Sequence, residues 1–251
     1  MYDLNYGFII IGEDLRYDPK AHKVVARMPT DGICENRHMN HEEQRKIIYH
    51  GTITAVQPRS TVWRYRMDNR THRVTGYNLF LSGEAEGESK NFCIAISEKQ
   101  QDKMRFHIGD EIEGSGWTKL YPKWEYADYY RVSSLKKLFS AAVPEEGTGM
   151  PWTGEVPALS VYDWRGCRML DKKCWSGKCQ SCKWACMASV AIEYDWGKTQ
   201  KFRFESFCYG PKNCKKYNMG RPRAVPYKDC GSSYDEGWMD EICTQNRGWD
   251  E

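Results

Sequence analysis

Short strand-like runs separated by polar turns dominate the middle of the chain. IIYHGTITAV, which ends at Pro58, STVWRYRM and VTGYNLFLSG are rich in β-branched and aromatic residues, and NFCIAIS follows a charged loop. After the polar segment EKQQDKMR come FHIGDEIEGSGWTKL and WEYADYYRVSSLKKL, each of which contains a further strand candidate. Short strands with turn signals at close spacing are typical of small sandwiches and barrels. The pattern therefore predicts a mainly β protein with a small barrel over residues 47–139.

A second pattern follows, in which two strand-like runs flank a turn. VAIEYDW, GKTQ and KFRFESF together predict a β-hairpin. Cysteines are concentrated on both sides of this hairpin, at Cys174, Cys179, Cys182, Cys186, Cys208 and Cys214. A Cys-x2-Cys pair before a hairpin and a second pair after it resembles the construction of a zinc ribbon. The sequence thus predicts a cysteine-rich β-hairpin module that is stapled by a metal.

The cysteine spacing also selects candidate metal ligands. Four thiolates suit zinc or an iron–sulfur centre, and Cys179 with Cys182 forms the tightest pair. Cys208 and Cys214 are the natural second pair, although five residues separate them and 25 residues separate the two pairs. We predict a structural zinc held by these four residues, with a [4Fe-4S] cluster as the alternative. One of the four could be replaced by Cys167, Cys174 or Cys186.

Within the predicted barrel, the phrase FHIGDEIEGSGW places Gly-Asp directly before an alternating strand. This turn resembles the lead-in to a late strand of an OB-fold, and the number and length of the strands over residues 47–139 fit the same fold. The resemblance implies binding of single-stranded nucleic acid, with bases stacked on aromatic side chains above a basic groove. Basic and aromatic residues interleave in this region, and the candidate contacts are Trp63, Arg64, Tyr65, Arg66, Arg73 and Tyr77. An exposed edge strand kept soluble by arginines is the alternative.

Charge is distributed unevenly although the net charge is only +3. From Arg165 to Lys228 there are fifteen Lys or Arg and four Asp or Glu, and from Asp229 to Glu251 there are seven acidic residues and one Arg. A basic block before an acidic tail suggests an anionic partner, although solvated surfaces would give the same composition. Arg221 and Arg223, in a loop interrupted by prolines, are the candidate phosphate contacts here.

Cysteine and histidine usage indicates a division into parts. The first 164 residues hold two cysteines and all six histidines, and the remainder holds nine cysteines and no histidine. Residues 140–160 are rich in Pro, Gly and small residues, which is typical of a linker. We predict an N-terminal extension (1–46) packing on the barrel, the barrel (47–139), a linker (140–160) and the cysteine-rich module with its acidic tail (161–251).

Several classes of protein lack support in the sequence. The start MYDLNYGFIII has no positive leader and no run is long enough to span a membrane, so we expect a cytoplasmic protein without membrane contact. In a reducing compartment, clustered cysteines more often bind metal than form disulfides. No phosphate loop, nucleophile elbow or zinc-protease motif is present, which argues against an enzyme.

The sequence therefore predicts an accessory protein that binds nucleic acid, in single-stranded form, with an acidic protein as the alternative partner. Two further alternatives remain open. The cysteine density would also suit an iron–sulfur redox protein or the small subunit of an oxidoreductase. The charge asymmetry would also suit an assembly or scaffold protein.

Overall fold

The computed structural model describes residues 15–18, 23–26, 43–64, 70–145, 150–193, 200–221, 223–226, 231–233 and 236–248. The chain forms two compact units, residues 1–40 and residues 41–251. In the first unit, strands β1 (Leu15–Asp18) and β2 (Lys23–Ala26) pair in antiparallel fashion. The predicted packing of residues 1–46 on the barrel stays a prediction.

The second unit is built on one sheet of eight strands. They are β3 (Lys46–Arg64), β4 (Thr71–Ala85), β5 (Glu88–Ile96), β6 (Glu111–Thr118), β7 (Tyr129–Phe139), β8 (Arg168–Met169), β9 (Ala185–Glu193) and β10 (Gln200–Cys208). Two short strands, β11 (Ala224–Pro226) and β12 (Gly231–Ser233), form a separate antiparallel pair. The prediction of a mainly β protein is confirmed.

Helices are few and short. They are α1 (Glu98–Met104), α2 (Leu159–Arg165), α3 (Lys172–Cys174), which runs into a π-helical turn (Trp175–Cys179), and α4 (Glu236–Cys243). Helix α1 begins at a capping box, because the side chain of Ser97 accepts from the backbone of Gln100 and the side chain of Gln100 accepts from the backbone of Ser97. In the described part of the chain, no helix has the length and apolar character needed to cross a membrane.

Five strands of the sheet close into a partial ring. Strand β3 pairs with both β4 and β6, β4 pairs with β5, and β6 pairs with β7. The ring is completed by one parallel bridge between β5 and β7, at Ile94 and Tyr129. Alternate residues face its interior, so that Tyr49 is buried while its neighbour Ile48 is 79% exposed. Apolar side chains from all five strands fill the interior.

Strand β3 is long and pairs with different strands at its two ends. It spans 19 residues, of which residues 46–52 pair with β6 and Thr61–Arg64 pair with β9. Between these stretches its sheet partner is β4 alone, and Pro58 lies there, where a missing N–H is tolerated as it is on an edge strand. The prediction that a strand ends at Pro58 is therefore wrong, and the strand passes through it with a register shift on each side.

The predicted hairpin between the cysteine groups is confirmed. Strands β9 and β10 pair in antiparallel register from Ala185 with Cys208 to Glu193 with Gln200. The hairpin joins the ring through the parallel pairing of β9 with β3, and β8 pairs with the end of β10. The ring and the cysteine-rich hairpin therefore share one sheet, while the predicted domain boundaries stay a prediction.

Candidate functional site

Five cysteines from three segments come together beside the ring. Cys174 and Cys179 lie on the helical turn 172–179, Cys182 precedes β9, and Cys208 and Cys214 lie at the end of β10 and in the loop after it. Cys174, Cys179 and Cys182 are buried in an apolar group of side chains, and Cys208 packs against it. Cys214 is half-buried and lies near Cys182 and Cys208. We call these five residues the cysteine cluster.

Two sulfur atoms of the cluster lie close together. Cys174 Sγ lies 3.9 Å from Cys179 Sγ. Burial, and next the neighbouring thiols of Cys174 and Cys182, raises the pKa of Cys179 above its usual range. Because a thiol with a raised pKa stays protonated at neutral pH, Cys179 needs a bound cation to become a thiolate.

Backbone N–H groups point at two of these sulfurs. The N–H of Gly210 donates to Cys208 Sγ at 3.3 Å, and Cys182 Sγ accepts from the N–H groups of Trp184 and Trp152. Burial is the larger effect and raises the pKa of Cys182 to about 12 and that of Cys208 as well, while these donors act in the opposite direction. Hydrogen bonds of this kind favour the thiolate, which is the form that binds metal.

The predicted ligands Cys179, Cys182, Cys208 and Cys214 all belong to the cysteine cluster. Among the residues that the structure describes, however, no three His, Cys, Asp or Glu side chains already form a group that could hold a metal ion. Metal binding by these four residues therefore stays a prediction.

The cysteines that could replace one of them lie in two places. Cys174 belongs to the cluster, whereas Cys167 and Cys186 are fully buried in the main core. Cys186 follows Ala185 on β9, and because side chains alternate along a strand it faces away from the cluster that Ala185 lines. The structure thus separates Cys174 from the other two.

A buried glutamine of β3 fixes the cysteine-rich segment to the ring. Gln57 has no exposed surface, and its Nε2 donates to the carbonyls of Cys179, Gln180 and Cys182 at 3.1, 2.9 and 3.2 Å. Its Oε1 accepts from the indole N–H of Trp175 at 3.2 Å. Sequence reasoning missed this residue, and its only signal is one polar side chain inside the apolar run TAVQP.

Two predicted nucleic-acid contacts, Arg64 and Tyr77, are buried. Arg64 has no exposed surface and forms two hydrogen bonds with the carboxylate of Glu205, at 3.2 and 2.7 Å. Tyr77 is 1% exposed, and its hydroxyl donates to the carbonyl of Pro157 at 2.8 Å. A nucleic acid cannot reach either side chain in this structure, because both are buried and bonded within the protein.

Glu205 gathers three arginines around one buried carboxylate. Besides Arg64, the side chains of Arg203 and Arg223 contact it at 2.6 and 2.8 Å. Burial alone would raise the pKa of Glu205, but the guanidinium groups of Arg64, Arg223 and Arg203 lower it to about 2. Arg223 also donates to the carbonyl of Leu170. The predicted phosphate contact Arg223 is therefore engaged within the protein.

The other predicted contacts differ in exposure. Trp63 is half-buried on β3, and Arg73 and Arg221 are exposed. Tyr65 and Arg66 lie outside the described residues. Of the six predicted contacts that the structure describes, only Arg73 and Arg221 are exposed side chains.

An aromatic group covers the outer face of the strands β4 and β5. The ring of Phe80 on β4 lies 6.3 Å from Tyr126 and 6.1 Å from Trp175, and Tyr126 lies 5.4 Å from Phe204. Cys93 on β5 is buried in the same region. The β6–β7 connection and the cysteine-rich segment therefore occupy this face of the ring.

A basic surface adjoins the cysteine cluster. Residues 172–178 and 211–221 contain seven Lys or Arg and no Asp or Glu. The two segments meet where Cys174 Sγ donates to the carbonyl of Lys216 at 3.1 Å and where the N–H of Asp171 donates to the carbonyl of Asn218 at 2.8 Å. The side chains are exposed except for that of Lys212, which is half-exposed. The basic surface consists of Lys172, Lys173, Lys178, Lys212, Lys215, Lys216 and Arg221.

Comparison with known proteins adds no identification. A scan against models of protein families, a search of curated proteins and a search of solved structures each found no match.

Proposed function

We propose that this chain binds single-stranded nucleic acid through the basic surface, and that a structural metal held by the cysteine cluster keeps that surface in place. The observation that carries the proposal is the meeting of the two segments 172–178 and 211–221, which contain seven basic residues and no carboxylate. Asp171 lies where the segments meet, so the excess of positive charge is large but not complete. Such an excess draws in a polyanion and supplies most of the affinity for its phosphates.

The ring supports the same proposal through its strand order. Counting β3 to β7 as first to fifth, the first strand pairs with the second and fourth, and the third lies beside the fifth. Helix α1 stands between the third and fourth strands. A five-stranded, partly open barrel is the architecture of OB-folds, which bind oligonucleotides and oligosaccharides. We therefore propose that the ring is an OB-like barrel.

The contact surface that we propose differs from the usual one of that fold. OB-folds bind ligands on the face of their second and third strands, which correspond to β4 and β5. Here Phe80, Tyr126 and Trp175 pack together on that face. We therefore do not include Arg64, Tyr77 and Arg223 among the proposed nucleic-acid contacts. The proposed contacts are the side chains of the basic surface, which includes the predicted contact Arg221.

The experiment is a titration of the full chain with a fluorescein-labelled single-stranded oligonucleotide at several salt concentrations, with DNA and RNA in parallel. The logarithm of the affinity should fall with the logarithm of the salt concentration, with a slope of about −0.7 for each phosphate that is neutralised. The variant Lys172→Ala/Lys173→Ala/Lys178→Ala should weaken binding and make this slope shallower by up to about 2. Alanine keeps the helical turn, because it has the highest helix propensity.

A matched control removes the same charge elsewhere. Lys99 and Lys103 on α1 and Lys136 on β7 are exposed, and their triple alanine variant should bind as the parent does. Equal loss in both variants would mean that net charge alone matters, and no salt-dependent binding in the parent would overturn the proposal. Tighter binding of poly-glutamate than of oligonucleotides would favour an acidic protein partner instead.

A further inference from the structure

The helical turn 172–179 presents two cysteines to the same side. Cys174 and Cys179 are five residues apart, and the turn between them is π-helical. Because π-helical hydrogen bonds join residues i and i+5, this turn brings such residues nearly above one another, which an α-helix would not do. The sulfur atoms of Cys174 and Cys179 accordingly lie 3.9 Å apart.

This separation matches one edge of a zinc–thiolate tetrahedron. Zinc–sulfur bonds of about 2.3 Å give sulfur–sulfur edges of about 3.8 Å. Cys182 lies in the same buried apolar group, its N–H donates to the carbonyl of Cys179 at 3.0 Å, and Cys208 packs against this group. The backbone N–H of Gly210 donates to the sulfur of Cys208 at 3.3 Å.

We propose that Cys174, Cys179, Cys182 and Cys208 bind one zinc ion, and that Cys214 stands beside the site without being a ligand. The inference deepens the proposed function, because it rests on the metal site that would hold the basic surface. Cys174 is buried with its sulfur beside that of Cys179, whereas Cys214 is half-buried in the loop after β10. Each coordinating thiol releases its proton to solvent when zinc binds.

The surroundings of the cluster favour this site in two ways. Zinc with four thiolates carries a net negative charge, and the two segments that carry the lysines of the basic surface meet at Cys174. The cluster is also closely packed, with Cys174, Cys179 and Cys182 at most 6% exposed. A single ion needs less displacement of this core than an iron–sulfur cluster with its additional sulfides. The spacing Cys-x4-Cys-x2-Cys also occurs in [2Fe–2S] proteins, so the experiment must separate the two metals.

The first measurement is the metal content and visible absorption of the full chain, produced in medium containing both zinc and iron and purified without chelator. We expect about one zinc per chain in a colourless protein. Stoichiometric iron with visible absorption would overturn zinc as the metal, and a folded protein free of both metals would overturn the site. Nucleic-acid binding is measured independently of the metal content. A protein that holds zinc but does not bind nucleic acid would contradict only the proposed function.

The second measurement assigns the ligands. Zinc retention against a competing chelator should fall in Cys174→Ser by more than the roughly 10- to 100-fold typical of losing an outer-shell partner. Cys214→Ser should retain zinc as the parent does, and Cys243→Ser, a half-buried cysteine outside the cluster, is the matched control. Loss of zinc in Cys214→Ser with retention in Cys174→Ser would overturn the ligand assignment.

Alkylation of the unmodified protein covers the case in which Cys174→Ser does not fold. With zinc bound, Cys174, Cys179, Cys182 and Cys208 should resist iodoacetamide, and removal of zinc by a chelator should expose them. Cys214 should react at similar rates before and after zinc removal. Protection of Cys214 by zinc together with a reactive Cys174 would contradict the assignment.

Discussion

Glu205 shows at the residue scale how one buried carboxylate holds together strands that are distant in sequence. It contacts Arg64 from β3 and Arg223 from the segment after the cysteine cluster, and it is 2% exposed. We predict that Glu205→Gln lowers the free energy of unfolding by about 3–5 kcal/mol, because it removes one charge of a buried ion pair with Arg64. Urea denaturation followed by circular dichroism measures this change.

An exposed ion pair is the control for Glu205. Glu113 and Lys136 are 40% and 69% exposed, so Glu113→Gln should cost no more than about 1 kcal/mol. Equal losses in both variants would contradict the role given to Glu205.

The same carboxylate predicts a dependence of stability on pH. The pKa of Glu205 is about 2 in the folded chain and 4.5 is its ordinary value. A lowered pKa contributes stability that is fully present above pH 4.5 and is lost as the pH falls toward 2. Glu205→Gln lacks this contribution, so the difference in unfolding free energy between parent and variant should shrink over that interval. A difference that stays constant from pH 6 to pH 2.5 would contradict the assignment.

At the scale of elements, α4 is held in place by one arginine just after it. Arg247 is 4% exposed, and its guanidinium donates to the carbonyls of Arg165, Gly166 and Gly210. We predict that Arg247→Ala speeds hydrogen exchange in α4 while exchange in the ring is unchanged. A hydrogen bond from a charged group contributes about 1.5–3 kcal/mol. The free energy of local opening of α4 should therefore fall by a similar amount. Hydrogen exchange with mass spectrometry is the measurement.

A neighbouring exposed residue is the control for this prediction. Gln245→Ala removes a side chain of similar length from solvent and should leave exchange in α4 unchanged. Unchanged exchange in Arg247→Ala would show that other contacts hold the helix. One candidate is the close approach of Gly166, at φ 66°, to the carbonyl of Cys243, where any β-carbon would overlap the oxygen.

A helix or strand was predictable when its sequence signal lies within the element itself. The β9–β10 hairpin follows from two strand runs and a turn. The packed face of α4 was not predictable: Trp238 and Ile242 are 54% and 42% exposed, while Met239 is buried. The pattern of apolar residues in α4 did not indicate which side is buried. Polar contacts determine that side, because Asp240 accepts from the backbone of β8 and Arg247 donates to the backbone of α2.

The candidate site was predictable only in part, because some of its contacts leave no signal in the local sequence pattern. Cysteine spacing selected Cys179, Cys182, Cys208 and Cys214 as ligands, which stays a prediction, whereas Cys174 is brought beside Cys179 by a π-helical turn that spacing does not reveal. The interleaved basic and aromatic residues at the end of β3 were visible in the sequence, but which of them would be buried depends on β9, which is more than 120 residues further along the chain. Non-local pairing of this kind leaves no mark in the local pattern, so Arg64 could be taken for a surface residue.

At the scale of the whole molecule, the sharing of β3 by the ring and the cysteine-rich hairpin implies that residues 41–251 unfold together. Gln57 is the most direct link, because its amide contacts the backbone of Cys179 and Cys182 and the indole of Trp175. We predict that Gln57→Ala destabilises both parts equally, by about 1–3 kcal/mol, since it leaves the buried indole N–H without its partner.

The measurement for Gln57 is hydrogen exchange across a urea series, with peptides from β4 and β5 compared with peptides from residues 172–186. In a two-state unit, both sets should report the same unfolding midpoint, and Gln57→Ala should shift both by the same amount. Gln180→Ala is the control, because its side chain is exposed while its backbone carbonyl still accepts from Gln57. Two separate midpoints in the parent, or a shift confined to residues 172–186, would mean that the hairpin only docks on an independently stable ring.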